Sequence, residues 1–267
     1  VAVGAAAGTQ GLLSGPYVVN VGTNQATVCW QVETKKLGSL QYREAEGGEW
    51  KEAGGSVSRF QALNMTGLQP AARYVVKVSG DKKELGELTF STAPAEPGPF
   101  TFFVYGDTRS YPKDHAKVAD ALAAEAHRLK QYTFVLHIGD FAQSGSSEEQ
   151  KAKQFFEPAQ VFLRMMPLVP VQGNHDMGKD YEMYFPLPRD SKMVTPNGDF
   201  CVDYGLVRML VLNDSRSSAD RLLADRLLWL SERLAEASNQ WRVVAMHGPM
   251  YSSGMHGGGG SRGVEQA

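Results

Sequence analysis

Four polar side chains each follow closely on an apolar stretch that has the length and composition of a β-strand. They are Asp107 after residues 100–105, Asp140 after 132–138, Asn174 after 168–171, and His247 after 241–246. Because the carboxyl ends of strands in an α/β fold open into one crevice, we expect these side chains to lie close together. A glycine before both aspartates and the asparagine allows the chain to turn tightly toward that crevice.

Two carboxylates, an amide oxygen and an imidazole are ligands that hard to borderline divalent or trivalent metal ions accept. A carboxylate shared between two ions would hold them close enough to clamp an in-line phosphoryl displacement. Any one Gly-Asp pair is typical of an ordinary turn. The occurrence of such residues at four strand ends favours a metal centre that acts on phosphate esters.

These residues resemble the motifs of the calcineurin-like metallophosphoesterase superfamily, in particular its purple-acid-phosphatase-like branch with an N-terminal fibronectin-type domain. The family pattern is Gly-Asp, Gly-Asp, Gly-Asn-His-Asp/Glu, a strand that ends in His, and then Gly-His-x-His. All but the last element occur here in that order after residue 99. The resemblance implies two metal ions, such as Fe, Zn or Mn. It implies that Asp107 binds one ion, that Asp140 bridges both, and that Asn174 and His247 bind the second.

Three further residues are candidates for catalysis. His175 follows a metal ligand, where the family uses a histidine to contact the phosphate or to assist the leaving group. His256 ends a segment that looks like the acid phosphatase sequence His-x-Pro-x-Tyr-x-Ser followed by a substrate-facing histidine. Either imidazole can donate a proton to a departing alkoxide near neutral pH. Arg109, two residues after Asp107, could reach a phosphate oxygen.

Each candidate also has a structural interpretation. His175 could brace the turn that presents the asparagine ligand, and His256 could be a mobile histidine in a Gly-rich loop. Arg109 could form an ion pair with a neighbouring acid. Among the remaining histidines, His137 lies inside a strand and is expected to be packed and hydrogen-bonded.

Two histidines of the first predicted helix, His115 and His127, are expected on the surface. The helix should instead bury an apolar stripe formed by Val118, Leu122 and Ala126, followed by Leu129.

Two departures from the family pattern bear on the metal centre. Purple phosphatases place a tyrosinate three residues after the bridging aspartate, and Gln143 occupies that position. A purple ferric site is therefore not expected, whereas a two-metal site is. The Gly-His-x-His motif does not occur before the last residue, Ala267. We therefore expect a C-terminal part missing from this sequence, or a fragment of the same protein on a second chain, to supply two further histidine ligands.

The N-terminal region shows short strands separated by turn-forming residues. In residues 26–32 apolar side chains alternate with Thr27 and Gln31, and Cys29 is expected to be a half-buried thiol without a partner. The Leu-x-Pro turn before Tyr74 resembles the corner of fibronectin type III domains, where a tyrosine packs back on the loop. This region is expected to pack or position rather than to react.

The expected fold is an N-terminal all-β sandwich, fibronectin III-like, joined to an α/β metallophosphoesterase domain, which is an αββα sandwich by resemblance. The second region alternates strands with helices, and three prolines in the linker cannot continue a sheet. The predicted segments are an extension at residues 1–14, the β-sandwich at 15–93, the linker at 94–99, and the metallophosphoesterase domain at 100–267, incomplete at the C-terminus.

The composition excludes several classes of protein. Of 267 residues, 42% are hydrophobic and 21% charged, which is typical of a folded protein rather than a disordered one. The net charge of −2 does not indicate the excess of basic residues that is typical of proteins that bind nucleic acid or anionic membranes. No apolar run reaches the roughly 18 residues of a membrane span. The small, apolar residues 1–8 are typical of a signal-peptidase site and predict export, periplasmic or secreted, although an artificial start would explain them too.

The leading functional hypothesis is a dimetal phosphoesterase. By the resemblance, a metal-bound hydroxide attacks the phosphorus of a small-molecule phosphate ester or a nucleotide. The alternative hypothesis is a non-catalytic binding or adhesion protein with a degenerate phosphoesterase domain. Metal content and turnover of a generic aryl phosphate distinguish the two.

Overall fold

The structure, a computed structural model, describes residues 11–215, 220–236, 240–249 and 253. The strands of this part of the chain are β1 Leu12–Val19, β2 Gln25–Glu44, β3 Gly47–Thr66, β4 Arg73–Gly80, β5 Lys83–Ser91, β6 Phe103–Tyr105, β7 Val135–His137, β8 Leu168–Pro170, β9 Phe200–Tyr204, β10 Val207–Val211 and β11 Trp241–Ala245. Its helices are α1 Pro112–Leu129, α2 Glu148–Lys151, α3 Glu157–Leu163, α4 Tyr181–Tyr184 and α5 Asp220–Glu236.

Strands β1 to β5 form one antiparallel sheet in which β2 pairs with β1, β3 and β4. The sequence predicts short separate strands here, whereas β2 and β3 each run for 20 residues. The β2–β3 pairing is irregular between Gln31 and Lys36, and such irregularities bend a strand. The two halves of β2 thereby bring Trp30 and Leu40 into one buried core. The region is all-β, and its assignment as fibronectin III-like stays a prediction.

The tyrosine corner expected from the sequence is present. The backbone N–H of Gln69 donates to the hydroxyl of Tyr74 at 2.8 Å. The ring of Tyr74 stacks on Phe90 with the centroids 5.8 Å apart. The tyrosine therefore packs back on the loop that precedes it.

Both faces of β2 are buried over residues 26–32, which differs from the alternation in the sequence. Cys29 is 1% exposed rather than half-buried. It shares an apolar cluster with Tyr17 of β1 and with Phe156 and Phe162 of the following region. The pattern predicts a polar second face, but this face is covered by the helical segment that includes α3. Cys29 and Cys201 are both free thiols.

The described part of the second region contains two three-stranded sheets. Strands β6, β7 and β8 are parallel, while β10 pairs antiparallel with β9 and parallel with β11. The sheets pack on each other, since the rings of Phe134 and Tyr204 lie 5.0 Å apart in a shared buried cluster. On the other face of the first sheet, Val135 packs with Ala123 of α1 and Phe162 of α3.

Helix α5 lies against the second sheet. Arg208 of β10 donates to the carbonyl oxygen of Arg233 at 3.0 Å and pairs with Glu236 at 3.1 Å. The layers thus run helix, sheet, sheet, helix, which is a sheet-rich α/β arrangement consistent with a metallophosphoesterase fold. The apolar segments 200–204 and 207–212 predict a hairpin that turns at Gly205; β9 and β10 form it, and the φ of Gly205 is +54°.

The sequence predicts one continuous helix over residues 147–165. The structure divides it into α2 and α3 with a π-helical turn, Ala152–Phe156, between them. Among the described residues, no helix has both the length and the apolar character needed to cross a membrane.

Candidate metal centre

The ends of β6 and β7 form two tight turns that carry the predicted aspartates. Asp107 and Asp140 have φ angles of +53° and +60°, in the left-handed region that aspartate tolerates better than most residues. The two turns are hydrogen-bonded to each other. Asp107 N–H donates to the Gly139 carbonyl oxygen at 2.9 Å, and Arg109 N–H donates to the Asp140 carbonyl oxygen at 3.2 Å.

Two of the predicted glycines are required by close approach of neighbouring groups. A Cβ on Gly173 would overlap the carboxylate and backbone nitrogen of Asp140. A Cβ on Gly139, whose φ is +98°, would lie 2.7 Å from His247 Nδ1 and 2.8 Å from Gly173 N. Only residues without a side chain allow the three strand ends to come this close.

Three acceptor atoms meet at these turns. His247 Nδ1 lies 2.8 Å from the Ile138 carbonyl oxygen, which can only accept, so Nδ1 carries a proton and, in the neutral ring, Nε2 presents a lone pair. This Nε2 lies 3.1 Å from Asn174 Oδ1 and 3.5 Å from Asp140 Oδ1. Lone pairs at these distances repel one another, and a cation between them removes the repulsion. The donor set therefore fits a metal ion.

Asp107 extends this cluster toward solvent. One ligand atom each of Asp107, Asp140 and His247 lies within 4.8 Å of the other two. The Asp107 side chain is 60% exposed, whereas that of Asp140 is 1% exposed. The cluster therefore has a buried base and an open side. The structure thus brings together all four residues predicted as metal ligands.

The carboxylate of Asp140 is buried and incompletely paired. Its Oδ1 accepts the backbone N–H of His175 at 3.0 Å. Its Oδ2 has no hydrogen bond of acceptable geometry, although Arg109 Nε lies 2.9 Å away in an ion pair. A buried carboxylate needs compensating positive charge, and an oxygen that has one ion pair but accepts no hydrogen bond also fits a bound cation.

Asp176, the last residue of the Gly-Asn-His-Asp motif, forms hydrogen bonds with the backbone of the turns that follow β7 and β8. Its carboxylate accepts the backbone N–H groups of Gly173 at 2.8 Å, Asp140 at 2.7 Å and Phe141 at 2.8 Å. Burial raises the pKa of Asp176 to about 6, these hydrogen bonds oppose the rise, and the nearby Asp140 charge adds to it. The sequence analysis gave this residue no role, although its place in the motif was a usable signal.

Arg109 and His175 face each other at the open side. His175 Nδ1 lies 2.9 Å from the Gln143 carbonyl oxygen and so carries the proton. Its Nε2 then accepts from Arg109 Nη1 at 2.6 Å. The guanidinium of Arg109 also lies 4.0 Å from Asp107, besides its ion pair with Asp140. Arg109 therefore forms an ion pair with a neighbouring acid, as one of the two interpretations of this residue predicted. Its guanidinium lies at the open side of the cluster, which we also call its mouth.

Gln143 connects these groups from the position where purple phosphatases have a tyrosinate. Its side-chain Oε1 accepts from Ser110 Oγ at 2.8 Å and from Arg109 Nη1 at 3.3 Å. Its backbone N–H donates to Gln154 Oε1 at 2.7 Å.

The predicted catalytic residue His256 lies outside the described residues.

The prediction for His115 was wrong, and that for His137 is confirmed. His115 is 4% exposed, not on the surface, because α1 buries a stripe that starts with this residue and continues through Ala119 and Ala123. Val118, expected in the stripe, is 49% exposed. His137 is fully buried, and burial holds its pKa well below the usual value. The second predicted surface residue, His127, is exposed.

Asp214 holds the histidine end of the cluster in place. Its Oδ2 accepts the backbone N–H of Gly248 at 2.7 Å, and its Oδ1 accepts that of His247 at 3.3 Å. The sequence analysis missed this residue. A signal was present, because Asp214 follows the apolar strand β10 in the same way that the predicted ligands follow theirs.

Comparisons with known proteins agree with this geometry. The sequence model described as calcineurin-like phosphoesterase matches residues 100–266. A comparison with curated proteins finds no match.

Two solved structures share the fold. Purple acid phosphatase PPD1 from yellow lupin (Lupinus luteus) seeds superposes with a TM-score of 0.70 at 15% identity, over 90% of this chain and 52% of that one. PhoD superposes with a TM-score of 0.64 at 14% identity, over 89% of this chain and 62% of that one. This chain thus spans about half to three-fifths of the length of these proteins, and the likeness is one of fold.

Proposed function

Because the chain belongs to the calcineurin-like phosphoesterase family, we propose that it hydrolyses phosphate esters at a centre of two metal ions. Asp107 would hold one ion, Asp140 would bridge the two, and Asn174 with His247 would hold the second. The two further histidines expected from a Gly-His-x-His segment stay a prediction. Export of the protein stays a prediction as well.

The convergence of acceptor atoms carries this proposal. His247 Nε2 lies 3.1 Å from Asn174 Oδ1 and 3.5 Å from Asp140 Oδ1, so three candidate ligand atoms converge on one point. An imidazole nitrogen, an amide oxygen and a carboxylate oxygen form a donor set that divalent metal ions accept.

The ions, when bound, would polarise the phosphoryl oxygens and activate the attacking water. The chain's own residues supply the rest. The buried Asp140 neutralises positive charge at the base of the cluster, and Asp107 leaves the open side accessible to substrate. Arg109 is placed to donate to a phosphate oxygen, because its guanidinium already lies at that mouth.

The contact between Arg109 and His175 couples phosphate binding to proton donation. While Arg109 Nη1 donates to His175 Nε2, that nitrogen cannot carry a proton. When a phosphate oxygen takes over the guanidinium donor, Nε2 is free to take up a proton from solvent, and the doubly protonated ring would pass that proton to the leaving group. His175 would then act as the general acid, which is the first of its two interpretations.

The N-terminal region is proposed to be a fibronectin III-like positioning domain. Its Tyr17 hydroxyl donates to the Tyr184 carbonyl oxygen at 2.5 Å, and its Arg59 pairs with Glu148 at 2.6 Å. These contacts support segments that flank the loops of the cluster.

The test is metal analysis of the purified protein together with turnover of p-nitrophenyl phosphate and bis-p-nitrophenyl phosphate. We expect two equivalents of transition metal and hydrolysis that a chelator abolishes and added metal restores. Relative rates on the two substrates assign monoesterase or diesterase activity. A protein that binds no metal and hydrolyses neither ester would favour the non-catalytic binding protein instead.

A further inference from the structure

One buried imidazole lies directly beneath both aspartate turns. We propose that His137 is a positioning residue that clamps the turns of Asp107 and Asp140 to each other through both nitrogens of its ring. This inference rests on the proposed metal centre, since the clamp acts on two of its ligands. Neither the family match nor the fold comparison assigns a role to His137.

The hydrogen bonds of His137 define a single tautomer. The backbone N–H of Gly139 points at Nδ1 from 3.2 Å, so Nδ1 accepts and carries no proton. The proton is therefore on Nε2, which donates to Thr108 Oγ1 at 3.0 Å. A protonated ring would have two donors and would lose the bond from Gly139.

The two partners are adjacent to the two ligands. Thr108 directly follows Asp107, and Gly139 directly precedes Asp140. A rigid ring whose opposite edges bond these neighbours fixes the distance between the turns. The backbone bond from Asp107 N–H to the Gly139 carbonyl oxygen closes the same ring of contacts at 2.9 Å.

Packing prevents the ring from leaving this position. His137 is 0% exposed. Its ring stacks on Phe141 with the centroids 4.0 Å apart and meets the edges of Tyr105 at 4.8 Å and Phe155 at 5.1 Å. With both nitrogens engaged in protein contacts, the ring has no free lone pair for a metal. Its contribution to the centre is geometric.

The chain offers a matched control. His115 is likewise a buried histidine, 4% exposed, and it contacts the same Tyr105. Its other ring nitrogen bonds the Gln154 carbonyl oxygen at 2.7 Å. Neither partner belongs to an aspartate turn. Loss of the His115 ring therefore removes a buried imidazole and its hydrogen bonds but leaves both hydrogen bonds of the clamp, those with Thr108 and Gly139, in place.

The experiment measures Mn²⁺ affinity by titration calorimetry in the full chain, with thermal unfolding recorded for every variant. His137→Gln should lower the affinity by about 10- to 100-fold, the usual effect of removing a partner that orients ligands. Thr108→Val, which breaks only the Nε2 bond, should lower it by about tenfold. Thr108→Ser keeps the hydroxyl and should restore it. His115→Gln should lower the melting temperature but leave the affinity unchanged.

Equal affinities in wild type, His137→Gln and Thr108→Val would overturn the clamp, as would a loss in His115→Gln as large as that in His137→Gln. If His137→Gln does not fold, the comparison of Mn²⁺ affinity between Thr108→Val and Thr108→Ser tests the clamp. Independently, ¹⁵N NMR of histidine in the metal-free wild type should show His137 protonated at Nε2 alone, and protonation at Nδ1 would overturn the proposal. A wild type that binds no Mn²⁺ or Zn²⁺ would refute the proposed function, while the NMR result would still decide the clamp.

Discussion

Asp140 is the residue on which both proposed metal sites depend, because its carboxylate lies buried at the base of the cluster, with one oxygen that accepts no hydrogen bond and is ion-paired with Arg109. We expect Asp140→Asn to lower metal content and turnover by two orders of magnitude or more, since a neutral amide cannot bridge two cations. Metal analysis and aryl phosphate assays measure both effects. The matched control is Asp114→Asn, an exposed acid of α1 paired only with Lys117, which should change neither. Full metal content in Asp140→Asn would show that the bridge was assigned to the wrong residue.

Gln143 determines the colour of an iron-loaded protein. Its side chain bonds Ser110 and Arg109 at the mouth of the cluster and offers no phenolate to a ferric ion. Iron-loaded wild type should therefore lack an intense visible charge-transfer band, and Gln143→Tyr should gain one. An absorption spectrum of concentrated protein checks this. A purple wild type would mean that another tyrosine binds the ion.

At the scale of elements, the turns that end β6, β7 and β8 set the geometry of the cluster. A methyl group on Gly173 would overlap the Asp140 carboxylate, so Gly173→Ala must push the third turn away. We expect a loss of about 1–3 kcal/mol in the free energy of unfolding together with weakened metal binding. Denaturant unfolding and calorimetry provide the values.

The control for this substitution is Gly54→Ala on β3, because nothing lies within 4 Å of the added methyl group. Its effect on stability should stay within about 0.5 kcal/mol. If Gly173→Ala were equally harmless, the close packing of the turns would not be a requirement of the site.

The positions of these turns could be predicted from the sequence because apolar strands followed by Gly-Asp or Gly-Asn are local patterns. The four candidate ligands Asp107, Asp140, Asn174 and His247 were predicted from strand ends, and the structure brings them together. Features that depend on tertiary contact were not. The buried stripe of α1 includes His115 because a π-helical turn packs beside it, with the His115 ring stacked on Phe155 at 5.8 Å.

Hydrogen bonds between strand ends could not be predicted from the sequence either, because they also depend on tertiary contact. Asp176 and Asp214 bind backbone groups of other turns, and their partners are known only once the strands are placed side by side. The alternation in β2 predicted one polar face, because the helices that cover it are distant in sequence.

At the scale of the whole molecule, the N-terminal sheet and the α/β region share one apolar cluster. Tyr17 of β1 packs on Phe156 with ring centroids 5.1 Å apart, and both are buried. We expect Phe156→Ala to cost about 3–5 kcal/mol, the usual loss for a buried phenylalanine. Because the cluster spans both regions, unfolding of this variant and of wild type should each be one transition. Near-ultraviolet and far-ultraviolet circular dichroism should give coincident curves, whereas two separate transitions would show that the regions are energetically independent.

The central claim is that Asp107, Asp140, Asn174 and His247 surround a metal centre. The most direct test is X-ray diffraction from crystals of the Zn²⁺-loaded protein, recorded on both sides of the zinc absorption edge. We expect anomalous density in contact with the Asp140 carboxylate, flanked by His247 Nε2 and Asn174 Oδ1 on one side and by Asp107 on the other. Zinc bound elsewhere in the chain, with these four side chains uncoordinated, would contradict it.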